Sequence, residues 1–196
     1  MAKKKPATPK TATVHRLKIT LDWLKPAIWR RVELPDCTLW DLHAVIQLCM
    51  PWTNSHLWEF EISRTERYGD DMDEMFGVET DAEPADSVKL SDLVTRGIKK
   101  FRYMYDFGDS WLHIIQFEKP VARDPKAKYP RCVAGERACP PDDCGGAPGY
   151  EYLLEILADP KHPEHEDRLE WTGGPIDPEA FDIDAINKYL QKLKLK

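Results

Sequence analysis

Two stretches of strict alternation constrain this chain more than any other feature. His15, Leu17, Ile19 and Leu21 alternate with Arg16, Lys18 and Thr20, and Ile28, Val32 and Leu34 alternate with Trp29, Arg31 and Glu33. A period of two belongs to a strand with one dry and one wet face. The break at Trp23-Leu24-Lys25-Pro26 makes the two runs a β-hairpin. A second hairpin is predicted from Phe101–Phe107 and Trp111–Phe117, turning at Gly108-Asp109-Ser110.

Helical spacing falls between and after these hairpins. Leu39, Leu42, Val45, Ile46 and Cys49 share one face, Thr38 can cap the N-terminus, Asp41 suits the first turn and Pro51 ends the run, which predicts a helix over 39–50. Leu57–Ile62 reads as a third strand, Leu90–Gly97 as a short helix, and Gly149–Ala158 as another with Tyr150, Leu153, Leu154 and Leu157 on one side. Lys161–Arg168 reads as a solvated segment turning helical towards Glu170. Asp182 caps a last helix whose stripe is Ile183, Ile186, Leu190 and Leu193. The expected class is α+β: a mixed or antiparallel sheet from two hairpins, packed by helices, with a β-grasp-like ββαβ start. Residues 1–13 read as a disordered basic tail and 14–196 as one domain, with no internal repeat.

Charge narrows the function classes. The net −6 includes +4 from the tail and eight acids without a base over Asp70–Asp86, so the remaining body is close to neutral. A large phosphate-binding surface is therefore disfavoured, though a local one is not. No run reaches the length of a membrane span, and no N-terminal pattern reads as a secretory signal. With five cysteines, an odd number, the expected setting is a reducing cytoplasm.

The common catalytic signatures are missing: no G-x-S-x-G, no phosphate loop, no G-x-G-x-x-G and no H-E-x-x-H. Asp106-Phe107-Gly108 matches a kinase triplet by letters only. Asp70, Asp71, Asp73 and Glu74 are spaced to attract a cation but lack the EF-hand pattern. His162-Pro163-Glu164-His165 sits in a charged surface context.

Two constellations carry chemistry. In the first, Tyr105, Asp106, Asp109, Trp111 and His113 gather about the second turn. Either the two carboxylates accept backbone N–H groups while the rings fill the core, or Asp106, Asp109 and His113 rim a pocket as metal ligands or acid–base groups. In the second, Cys132, Cys139 and Cys144 lie in a Gly/Pro-rich loop. Three thiols invite a structural zinc, with His113, Asp142, Asp143, His162 or His165 as the fourth ligand; packed free thiols are the alternative. Gly145-Gly146-Ala147-Pro148-Gly149 before a helix is a weak anion signal, and Trp29, Arg30 and Arg31 a weak nucleic-acid one.

The segments LHAVIQ (Leu42–Gln47), SHLWEF (Ser55–Phe60), YDFGDSWLH (Tyr105–His113) and YPRCVAGERACPPDDCGGAPGY (Tyr129–Tyr150), in this order, resemble the pRiA-type plasmid Orf-three-like family, named from a root-inducing plasmid. The resemblance spans about residues 14–190. It implies a compact α+β domain and a mobile-element setting, since some members bear resolvase-like names as passengers of insertion elements. It brings no catalytic residues. Ser55 between Asn54 and His56 lacks the arginine cluster of a serine recombinase. The resemblance adds His43 and His56 to the candidate pocket, because they lie within its signature segments. The functional expectation is an accessory protein that binds a protein or nucleic acid partner. The alternative is a metal-dependent hydrolase or nuclease-like enzyme using Asp106, Asp109 and His113, so the sequence leaves enzyme or binder open.

Overall fold

The computed structural model describes residues 12–70 and 81–195. Most of the basic tail, and Asp71, Asp73 and Glu74 of the acidic run, lie outside the described residues. β1 (Thr13–Leu21) and β2 (Ile28–Leu34) form the first hairpin, with Leu17 opposite Val32. β3 (Trp58–Ser63), β4 (Glu66–Gly69) and the two-residue β5 (Glu83–Pro84) follow a helix. β6 (Lys100–Tyr105) and β7 (Trp111–Phe117) form the other hairpin, with Tyr105 opposite Trp111. β8 (Val121–Ala122) adds to the start of β1, and β9 (Arg131–Glu136) lies along β2. The two hairpins merge into one sheet because β7 pairs with β1, Ile115 opposite Ile19. Its order is β5-β4-β3-β6-β7-β1-β2-β9. Only the β4–β5 pair is parallel, so the protein is α+β with a mixed, mostly antiparallel sheet. The β-grasp likeness ends at element order: β3 pairs with β4 and β6 and does not reach β1.

α1 (Leu39–Cys49) begins in a reciprocal capping box between Thr38 and Asp41. Its buried Leu39, Leu42, Val45, Ile46 and Cys49 join Leu17, Ile19, Ile28, Val32, Phe60, Tyr103 and Ile115 in one core. α2 (Leu90–Thr95), α3 (Gly146–Ala158), α4 (His165–Trp171) and α5 (Ile183–Leu190) complete the described helices. No helix of the described residues is long and apolar enough to cross a membrane.

Four strands, β4, β5, β8 and β9, escape the periodicity reading. β9 contains Ala134-Gly135 and pairs with β2 through a register shift at Arg31/Val32, so it carries no alternation to read. Asn187 on α5 supports this edge. Its amide accepts from the Cys132 N–H at 2.8 Å and donates to the Cys132 carbonyl at 2.9 Å, as a neighbouring strand would. α3 starts three residues before its expected position because Gly145, at φ +91, supplies the left-handed turn that admits it.

The alternation of β2 also hides a charge. Arg31 faces outward and pairs with Glu118, whereas Arg30 points inward and is 2% exposed. The Arg30 guanidinium donates to the carbonyls of Trp29, Cys49, Glu136 and Arg137 at 2.8–3.0 Å and lies over the Phe181 ring. One planar donor set thus ties the end of α1 to β2, β9 and the C-terminal segment. Of Trp29-Arg30-Arg31, Arg30 is therefore held inside the fold.

Candidate metal centre

Three loops, at 53–56, 106–110 and 142–146, meet at one end of the sheet, and each is pinned by its neighbours. The Thr53 N–H and hydroxyl both donate to Asp142 Oδ2, at 2.8 and 2.6 Å. Ser55 donates its N–H to the Tyr105 hydroxyl at 3.2 Å. Gly145 donates its N–H to Asp109 Oδ2 at 3.0 Å. Asn54, Asp106, Ser110 and Asp143 all have φ between +56 and +59, a conformation that costs free energy in any residue with a Cβ. Such outliers are held only where surrounding contacts over-determine them.

Asn54 shows how. Tyr103 donates its hydroxyl hydrogen to His43 Nδ1 at 2.7 Å, and His43 Nε2–H donates to Asn54 Oδ1 at 2.8 Å. Gln47 donates in turn to the Tyr103 hydroxyl at 3.0 Å. The relay fixes the neutral tautomer of His43, whose ring stacks on Trp58 at 3.8 Å. Burial takes its imidazole down to about 3, the bond to Asn54 opposing.

Asp106 is itself buried. Its Oδ1 accepts from the Gly108 N–H at 2.8 Å and the Asp109 N–H at 3.3 Å, an Asx turn that leaves Oδ2 for another partner. That oxygen lies 3.7 Å from His56 Nε2, while Asp143 Oδ1 lies 3.2 Å from the same nitrogen. His56 Nε2 is buried yet has hydrogen-bond geometry to neither carboxylate. Among the described residues, His56, Asp106 and Asp143 are the group of three His, Cys, Asp or Glu ligand atoms within 4.8 Å of one another. One nitrogen and two oxygens suit a hard or borderline divalent cation.

The cluster stands between two clefts. His56 lines one of about 380 Å³, whose other walls include Trp40, Trp58, Asn54 and Asp70. Asp143 lines the other, of about 160 Å³, between α3 and α4.

The remaining sequence candidates are not among these three ligand residues. Asp109 serves the Gly145 N–H, on the rim of the cluster. Tyr105 and Trp111 are core rings stacked near Trp52. His113 is fully buried opposite Tyr103, with Nδ1–H donating to the Trp111 carbonyl at 2.9 Å, and burial lowers its imidazole to about 4. Strand pairing thus sends His113 inward beneath the turn, and it is His56 that stands beside Asp106.

The thiols do not assemble either. Cys132 is buried beside Cys49 and donates to the Ala134 carbonyl, while burial raises the Cys139 thiol and takes Cys144 up to about 12. No three of them form a ligand group within 4.8 Å among the described residues. The sequence reading reached His56 only through a signature segment and weighed Asp143 only as a fourth ligand to the thiols. It missed Asn54. Asn54-Ser55 between a helix stop and a strand was the available signal, since Asn tolerates the left-handed region.

Comparison with known proteins carries the family but no activity. The relative "Uncharacterized protein y4hQ" of Sinorhizobium fredii (strain NBRC 101917 / NGR234) is 39% identical over 187 residues, covering 94% of each chain. The crystal structure of a protein of unknown function, MM3350, from Methanosarcina mazei Go1 matches with a TM-score of 0.78 at 39% identity, over 87% of this chain and 96% of that one. The model of the plasmid pRiA4b ORF-3-like protein family matches residues 13–185, and the chain belongs to that family.

Proposed function

We propose that this protein is a divalent-cation-dependent hydrolase whose cation is held by His56, Asp106 and Asp143. The observation that carries the reading is the convergence of their three ligand atoms within 4.8 Å, with His56 and Asp143 each also lining a cleft. Three protein ligands leave coordination positions open to water and substrate, as catalytic sites do and closed structural sites do not. A cation there would acidify water and polarise a substrate oxygen. The chain's own part is to hold the ligands. The Asx turn aims Asp106 Oδ2, and the relay from Gln47 through Tyr103 and His43 to Asn54 fixes the loop that carries His56.

The test is calorimetric titration with Mn²⁺, Zn²⁺ and Mg²⁺, with hydrolysis of p-nitrophenyl phosphate, bis-phosphate and acetate esters measured beside it. One cation per chain is expected, with Asp106→Asn and His56→Ala each weakening uptake by at least about tenfold. Saturation binding that neither variant changes would overturn the reading.

The competing reading, an accessory binding protein in a mobile-element setting, is favoured by Trp23. This ring is 70% exposed beside the β1–β2 turn at φ +71, outside the core and in a costly conformation. It calls for Trp23→Ala to abolish binding to a labelled DNA duplex in anisotropy measurements while cation uptake persists; unchanged anisotropy would remove it.

A further inference from the structure

The smaller cleft brings exposed rings and a guanidinium close to Asp143. Leu153 and Ile156 of α3 line it with Asp143, Arg168, Tyr152 and Trp171, beside Cys144 and Gly149. Tyr152 is 48% exposed and Trp171 46%, two of the few large rings that the described residues leave in water, and both line this cleft. Exposed rings beside a guanidinium are the means by which proteins take a nucleobase and its phosphate, the ring by stacking and the phosphoryl oxygens by charge-assisted hydrogen bonds. Arg168 is engaged by Glu164 through Nε and Nη2, at 3.3 and 2.9 Å. Both partners are more than two-fifths exposed, so this ion pair competes weakly with a phosphate.

We propose that this cleft takes a nucleotide phosphate ester as the substrate of the His56–Asp106–Asp143 site. The inference rests on the cation reading above and deepens it. Asp143 is the link between the two, because the same side chain faces the cleft and supplies an oxygen to the cluster. A bare Asp143 carboxylate repels a phosphate; the same carboxylate holding a divalent cation attracts it. Nucleotide affinity is therefore coupled to cation occupancy, and by linkage the nucleotide tightens the cation in return. The base lies towards Trp171 and Tyr152, and the phosphoryl group lies between Arg168 and Asp143.

The experiment is calorimetric titration of the full chain with AMP, with adenosine, with inorganic phosphate and with a short single-stranded oligonucleotide, each in saturating Mn²⁺ and in excess chelator. AMP is expected to bind at least about tenfold more tightly with Mn²⁺ than without, and more tightly than adenosine or phosphate alone. Arg168→Ala and Trp171→Ala are each expected to weaken AMP by about tenfold while Mn²⁺ affinity measured without AMP stays the same, and Trp171→Phe to restore most of the loss. An oligonucleotide preferred to AMP identifies a strand as the source of the nucleotide; equal affinity identifies the free mononucleotide. If Mn²⁺ binds and AMP does not, or if both alanine variants bind AMP like the parent, the nucleotide proposal is overturned and the cation reading stands. If Mn²⁺ does not bind, both fall together.

Discussion

Asp142 and Thr53 are latched across 89 residues of sequence, one carboxylate oxygen accepting both the backbone N–H and the hydroxyl of the threonine. This contact joins the loop of Asp143 to the loop of His56, so two of the three candidate ligands depend on it for their separation. Asp142→Ala is expected to cost about 1–2 kcal/mol in urea denaturation, the range for hydrogen bonds to a charged group at an exposed site. It should also weaken Mn²⁺, though Asp142 is not among the ligands. Thr53→Val removes only the hydroxyl bond. A double-mutant cycle that gives strict additivity would show that the latch is not formed in solution.

Buried neutral histidines set an acid limit. His43 is held down to about 3 and His113 to about 4, chiefly by burial. Their unfolded imidazoles titrate near 6.5, so the unfolded chain takes up protons first as pH falls. Stability from these residues is fully present above about pH 6.5 and declines as pH drops towards their folded values, at about 1.4 kcal/mol per pH unit for each ring. Urea denaturation at pH 7, 6 and 5 measures the slope before most carboxylates contribute. His113→Phe, which keeps a ring in the core, should lower that slope by about the share of one histidine; the parent slope retained in the variant would refute a neutral buried His113.

How far the sequence could be read follows from what each residue depends on. The hairpins, α1 with its Thr38–Asp41 box and the final Asp182 cap were legible because periodicity and capping are local. Arg30 was half legible: alternation places it on the dry face, but its four carbonyl partners come from segments up to 107 residues away. β9 was silent because its order comes from β2 and from an asparagine on α5. The site follows the same rule. Asp106 was flagged by its own turn, whereas its meeting with His56 and Asp143 is a product of three loops no local pattern connects.

Arg30 gives a sharp stability test. Arg30→Met leaves four carbonyls without the donor that now serves them, and Arg30→Lys offers one ammonium where a planar fork reaches several elements. Either substitution is expected to cost about 3 kcal/mol or more, since each unsatisfied buried acceptor costs about 1–3 kcal/mol. Lysine should recover only a small part of the loss in melting experiments. Full recovery by lysine would mean that charge alone, and not the fork, is needed.

The thiol site expected from the sequence and the His56–Asp106–Asp143 site respond oppositely to substitution. Cys132, Cys139 and Cys144 do not come together as ligands, whereas Asp106 and Asp143 do with His56. After dialysis against Zn²⁺, elemental analysis of Cys132→Ser and Cys144→Ser should match the parent, and Asp106→Asn should fall to background. Loss of zinc in the cysteine variants with retention in Asp106→Asn would return the site to the thiols.

The last test concerns how closely the site loops are packed. Gly146 sits at φ +69, and a Cβ there would stand 2.5 Å from the Asp109 carbonyl oxygen. Backbone is met at that point, so no side chain can swing aside to relieve the overlap. Gly149 meets backbone more closely still, at the Cys144 carbonyl oxygen, though at an ordinary helical φ. Gly146→Ala therefore combines a left-handed penalty of about 1 kcal/mol with displacement of the Asp109 turn, and a total near 3 kcal/mol is expected. Gly149→Ala carries no left-handed penalty but a closer backbone overlap, which the helix preference of alanine, about 1 kcal/mol, does not offset. Both variants should melt below the parent, because both overlaps are with backbone. Gly146→Ala should also weaken Mn²⁺, because the Asp109 turn it displaces is the turn that aims Asp106 Oδ2 at the cluster. An unaltered Mn²⁺ affinity in a folded Gly146→Ala protein would show that Asp106 does not depend on that packing.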